Sequence, residues 1–185
     1  MINKVLKETE DKMKKSVEFV RQEFAKIRTG KATTALLDGI KAEYYGSVLP
    51  LNQLANISVS DVHTLVVQPW DKSALQSIEK AILTSELGLN PINDGNILRI
   101  PIPPLTEERR KDLVKLCKKF AEEGRIAVRN VRREAIEHLR KLEKEEHFSE
   151  DDRKRAENEI QKLTDKYIKL IDELLEHKEK EIMEV

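Results

Sequence analysis

One cysteine stands in 185 residues, so no internal disulfide framework is possible and a reducing compartment is expected. Cys117 falls on the core side of a helical pattern and reads as a buried structural thiol, not a nucleophile. Glycine and proline number six each while charged residues make up 37%, a composition that favours long solvated helices over disorder or an all-β sandwich. No run approaches the roughly 20 apolar residues of a membrane span, and residues 1–12 lack the apolar centre of a signal peptide. The chain is therefore expected to be cytoplasmic, with no membrane partner.

Chemistry is scarce as well. His63, His138, His147 and His177 lie far apart without ligand spacing or cysteine partners, so no metal site is expected. No glycine-rich phosphate loop and no Gly-x-Ser-x-Gly elbow occurs, and the carboxylates fall on solvated helix faces. No catalytic residue, cofactor or small-molecule substrate is expected, and the chain does not read as an enzyme.

Charge is what the sequence has. Lysine and arginine total 34 and aspartate and glutamate 34, a net of zero that hides a strong asymmetry. Residues 109–133 carry ten basic and three acidic side chains, whereas residues 148–185 carry eight and twelve. Any anionic partner should meet the chain at the first of these blocks.

Apolar residues recur at helical spacing in three stretches. Ile2, Leu6, Met13, Val17, Val20, Phe24 and Ile27 form the first stripe, stopped by Thr29-Gly30. A second helix opens at the N-cap Thr106, with Glu107 and Glu108 in its first turn. Its stripe is Leu113, Leu116, Phe120, Ala127, Val131, Ala135, Leu139 and Leu142. A third opens at the capping box Ser149 to Asp152 and runs to Ile182. Three single-stripe helices must bury their stripes together, which predicts an elongated antiparallel three-helix bundle.

Between residues 31 and 104 the period shortens to two. Ile40, Ala42 and Tyr44, then Ile57 and Val59, then Thr64 to Val67, then Leu98, Ile100 and Ile102 read as strands. Asp71 to Ser73 caps a helix reaching Leu87, and a turn covers Asn90 to Gly95. The fold class is therefore α+β. Residues 1–30 and 105–185 form the discontinuous bundle, and residues 31–104 form an inserted small α/β domain joined by a two-strand hinge at Thr29, Gly30, Lys31, Pro103 and Pro104.

At about 100° per residue, with Arg125 set at zero, Arg129, Arg132, Arg133 and Arg140 fall at about 40°, 340°, 80° and 60°. The expected core residues Phe120, Ala127, Val131, Ala135 and Leu142 lie between about 200° and 280°, on the opposite side. Arginine presents a planar fork suited to phosphate. Within the helix only Glu122 stands near enough to neutralise Arg125. A rigid basic stripe without base-reading modules suits folded RNA read by shape and backbone. A helical-bundle protein-interaction or chaperone-like module is the alternative reading, and it requires an exposed apolar groove.

Several blocks carry a resemblance over the whole chain: Lys26 to Gly30, Leu37 to Ile40, Glu43 to Gly46, Leu87 to Pro91, Pro103 to Leu113, and Val128 to Arg133. In order and in content they resemble ribosome recycling factor. The resemblance implies a monomeric, L-shaped, tRNA-sized translation factor whose bundle lies along large-subunit ribosomal RNA. With elongation factor G and GTP such a factor splits the post-termination ribosome into subunits and promotes release of messenger RNA and tRNA. It implies rRNA contacts at Arg132 and Arg129, with Arg133, Arg28 and Arg110 beside them, and a hinge at Gly30 and the Pro103-Pro104 pair. The family more often has Arg-Ala-x-Pro after the hinge glycine. This chain has Lys31-Ala-Thr-Thr34, which frees φ at position 34.

Overall fold

The computed structural model describes residues 1–145 and 147–184. Its helices are α1 (Ile2–Ala25), α2 (Leu75–Thr84), α3 (Glu107–Lys144) and α4 (Glu150–Met183). Its strands are β1 (Lys41–Tyr44), β2 (Ser47–Pro50), β3 (Ala55–Asp61), β4 (Thr64–Pro69), β5 (Ile92–Asn93) and β6 (Leu98–Pro101). The chain divides into two compact units, Met1–Arg28 with Thr106–Val185, and Thr29–Leu105.

In the first unit α1, α3 and α4 pack against one another as an antiparallel three-helix bundle. The helix starts are set by their caps. Thr106 Oγ1 accepts the Arg109 N–H at 3.1 Å and Ser149 Oγ accepts the Asp152 N–H at 3.2 Å, each with carboxylates in the first turn facing the positive end of the helix dipole. Helix α1 ends at Ala25, short of the expected stop at Thr29-Gly30. Its buried face is Val5, Thr9, Met13, Val17, Val20 and Phe24. Thr9 and Thr164 are buried hydroxyls, and each is satisfied by the carbonyl one turn back in its own helix, Val5 O at 2.7 Å and Ile160 O at 2.8 Å.

The stripe of α3 differs from the expected one. Leu113, Ala135, Leu139 and Leu142 are buried, but between them the core runs through Cys117, Ala121, Gly124 and Val128. Leu116 is exposed, and Phe120, Ala127 and Val131 are only half-buried. Small residues set this face because α1 and α4 approach closely there. A Cβ on Gly124 would overlap the Val20 Cγ2 methyl and lie 3.2 Å from Ile171 Cδ1. The buried positions span about 240° to 320° on the scale above, so the core is rotated toward Arg132 at about 340°.

The second unit is an antiparallel sheet of order β3-β4-β6-β5, accompanied by the β1–β2 hairpin and α2. Leu65 pairs with Ile100 and Val67 with Leu98, placing four fully buried side chains at the centre, and Ile78 and Ile82 of α2 join the same core. Strands β2 and β5 add to the expected four, β5 arising inside the segment read as a turn. Asp71 accepts the Ser73 N–H at 3.0 Å and caps a 3-10 turn that leads into α2. The helix stops at Thr84 and not at Leu87, because the Ser85 hydroxyl turns back to the Ile82 carbonyl at 2.6 Å.

Both ends of this unit are fastened at the β3–β4 turn. The Val62 carbonyl accepts the Ala32 N–H at 2.7 Å and the His63 carbonyl accepts the Ile102 N–H at 2.7 Å, while His63 Nδ1 lies 3.0 Å from the Gly30 carbonyl. Gly30 has φ +80, and a Cβ there would sit 3.3 Å from both Leu105 Cγ and Leu105 N. These bonds explain why Thr29, Gly30 and Leu105 fall in this unit, where the sequence divided the chain at 30/31 and 104/105. Thr33 is extended at φ −134 and ψ 146, and Thr34 opens a 3-10 turn, so position 34 accepts proline without rearrangement.

Candidate nucleic-acid interface

The basic block lies on α3, a helix of 38 residues, or about 57 Å at 1.5 Å per residue. Its arginines are not equivalent. Arg125 is bound by Asp172 of α4, with Nη2 at 2.7 Å and Nε at 2.8 Å from Oδ1, and by Glu122 at 3.0 Å. Burial works against its charge, but the hydrogen bonds to Asp172 and Glu122 outweigh it and raise its basicity further. Arg140 reaches Glu157 of α4 at 3.3 Å. Helix α4 therefore adds Asp172 and Glu157 as counter-charges to Arg125 and Arg140, partners that a count of charges within α3 does not include.

Arg132 is different. Its Nη1 donates to Gln161 Oε1 at 3.0 Å, and its Nε is buried without a hydrogen-bond partner. The side chain is half-buried, in keeping with its place at the edge of the rotated core. No carboxylate pairs with it among the described residues. Arg129 makes one long contact, Nη1 to Glu122 Oε1 at 3.5 Å, and its side chain is 43% exposed. Arg133 is exposed and has no ion pair among the described residues. Arg132, Arg129 and Arg133 thus form a cationic surface within two turns of α3.

Arg28 and Arg110 are both half-buried, Arg28 as the last residue of the first bundle segment and Arg110 in the first turn of α3. The Arg110 Nε is buried without a hydrogen-bond partner. Sequence reasoning missed the α4 partners Asp172, Glu157 and Gln161, which stand 47, 17 and 29 residues from the arginines they meet. No local signal could have named them.

The other features do not form a site. An open cleft of about 430 Å³ is lined by Arg140, Glu143, Lys144 and Arg153. Both of its arginines are paired, Arg140 with Glu157 and Arg153 with Glu143, Glu150 and Glu157. Burial pushes the Cys117 thiol up to about 11, which leaves it protonated at neutral pH. Among the described residues no group of three histidine, cysteine or carboxylate side chains could hold a metal, and no helix is long and apolar enough to cross a membrane.

Comparison with known proteins places this geometry. The family model described as "Ribosome recycling factor" matches residues 20–183. The ribosome-recycling factor of Heliobacterium modesticaldum is 58% identical over 185 residues, and that of Symbiobacterium thermophilum 55%, each alignment covering both chains completely. A solution structure of the ribosome recycling factor aligns with a TM-score of 0.78 at 53% identity, covering 100% of this chain and 98% of the other. Models for the T. thermophilus ribosome recycling factor and the E. coli elongation factor G bound to the E. coli post-termination complex align at 0.64 and 55% identity, both chains covered in full. By the family model and by relatives matched from end to end, this chain belongs to the ribosome recycling factor family.

Proposed function

We propose that this protein recycles ribosomes. Together with elongation factor G and GTP it dissociates the post-termination ribosome into subunits and promotes release of messenger RNA and tRNA. It acts in the cytoplasm as a binding factor with no active site of its own, and the GTP is hydrolysed by its partner. The observation that carries the reading is the likeness to ribosome-recycling factors along the entire chain. One of the aligned structures concerns such a factor and elongation factor G on the post-termination complex.

In this reading Arg132, Arg129 and Arg133 bind large-subunit rRNA through its phosphates, with Arg28 and Arg110 at the periphery. The unpaired charge of Arg132 is what supports its leading place. Thr29, Gly30, Lys31, Pro103 and Pro104 act as the hinge, and the close packing of Gly30 on Leu105 supports movement of the two connections as a pair.

Sedimentation of post-termination ribosomes with this protein, elongation factor G and GTP tests the proposal. Subunit release is expected only with all three components. Arg132→Ala should weaken ribosome binding and lower the slope of log affinity against log salt by about one, with helix content unchanged. Absence of release with a matched elongation factor G would refute the function. A mutant with wild-type binding across the salt series would remove Arg132 from the interface.

A further inference from the structure

We propose that Gln161 is the positioning residue for Arg132, and that its lack of charge keeps Arg132 available to an RNA phosphate. The inference rests on the reading of the α3 arginines as the RNA contact. Three of those arginines reach across to α4. Arg125 meets the carboxylate of Asp172 and Arg140 that of Glu157, whereas Arg132 meets an amide oxygen at 3.0 Å. A carboxylate in that place would hold the guanidinium in the same pose and cancel its charge. The amide holds it and cancels nothing.

The amide is itself oriented. Gln161 Nε2 donates to Asp165 Oδ1 at 2.9 Å, one helical turn further along α4. An amide with its donor on a carboxylate must turn its oxygen the other way, toward a cation. Only one of the two amide orientations satisfies both neighbours.

A second observation concerns Arg132 itself. Its Nε is buried and makes no hydrogen bond, a desolvated donor that an arginine free to swing into water would not retain. The side chain is held in one pose at some loss of solvation, with Nη1 on Gln161 and Nη2 donating to no group among the described residues. Ordering before binding removes the conformational loss that a flexible arginine suffers when it meets phosphate. Gln161 touches Arg132 and acts through it.

The test uses the full chain and purified ribosomes, comparing wild type, Gln161→Met, Gln161→Glu, Arg132→Ala and the double variant Gln161→Met/Arg132→Ala. Methionine keeps the length of the side chain and removes the acceptor. Gln161→Met should weaken ribosome binding roughly three- to tenfold, and it should change affinity less than about twofold when Arg132 is already alanine. Gln161→Glu should weaken it more than methionine and lower the salt slope by about one, as Arg132→Ala does. In the free protein, side-chain nitrogen resonances of Arg132 should show hindered rotation in the wild type and free rotation in Gln161→Met. Wild-type affinity of Gln161→Met beside a weakened Arg132→Ala overturns the role of Gln161 and leaves the arginine interface standing. An equal loss from Gln161→Met in both backgrounds also overturns it, because Gln161 would then act without Arg132. Wild-type binding by Arg132→Ala overturns the interface itself.

Discussion

Tyr44 and Asp71 show how two side chains can set the pH range of a small unit. The Tyr44 hydroxyl donates to Asp71 Oδ2 at 2.5 Å. That bond is the main reason the Tyr44 phenol is pushed up to about 12 from 10.0, and the main reason Asp71 is held below the usual carboxylate range, with the Ser73 N–H adding to it. The signs are opposite at the two ends. Asp71 contributes stability above its ordinary value of 3.8 and loses it as the pH falls through its depressed folded value. Tyr44 contributes below its ordinary 10.0 and loses it as the pH rises through about 12. Urea midpoints of wild type and Tyr44→Phe should therefore differ by a constant amount from about pH 5 to 9 and converge between pH 10 and 12. A difference that persists undiminished at pH 12 would show that the bond is not what links Tyr44 to stability.

Among the elements, α3 depends most on small residues. An alanine at Gly124 gains about 1 kcal/mol of helix propensity, but its methyl overlaps Val20 and crowds Ile171. Overpacking of that kind costs about 1–3 kcal/mol, so Gly124→Ala should lower stability on balance, and Val20→Ala in the same chain should recover part of the loss. Equilibrium urea unfolding of the three variants measures both terms; a Gly124→Ala more stable than wild type would contradict the close approach. The same small residues explain what the sequence concealed. The caps Thr106 and Ser149, all four helices and four of the strands were legible from residue type and period. The buried face of α3 was not, because Ala121 and Gly124 carry no hydrophobic signal while Leu116 and Phe120, which do, lie outside it or at its margin. Rotation of that face moved Arg132 from the far side of the helix to the edge of the core. Its partner could not be read either, since charge pairing within one helix says nothing of a residue on the next.

For the whole molecule the insertion was legible as a change of period between two helical stretches, and its exact limits were not. They depend on the bonds of Val62 and His63 to Ala32, Gly30 and Ile102, contacts between residues some 30 to 40 positions apart. Those bonds have a further effect on the order in which the protein folds. In an unfolded chain, α1 can find α3 only by closing the whole Thr29–Leu105 segment as a loop. Once the sheet has formed, Gly30 already packs on Leu105, and the loop left to close shrinks to a handful of residues. Removing about four doublings of loop length recovers about 2.5 kcal/mol of closure entropy. Ile100 is fully buried in that sheet, and its truncation to alanine costs about 2–5 kcal/mol. In stopped-flow refolding, Ile100→Ala should therefore slow the helical phase of a bundle that Ile100 does not enter, and an unchanged helical rate would mean that the bundle assembles before the insertion closes. A side chain in the sheet then sets the folding rate of the helices.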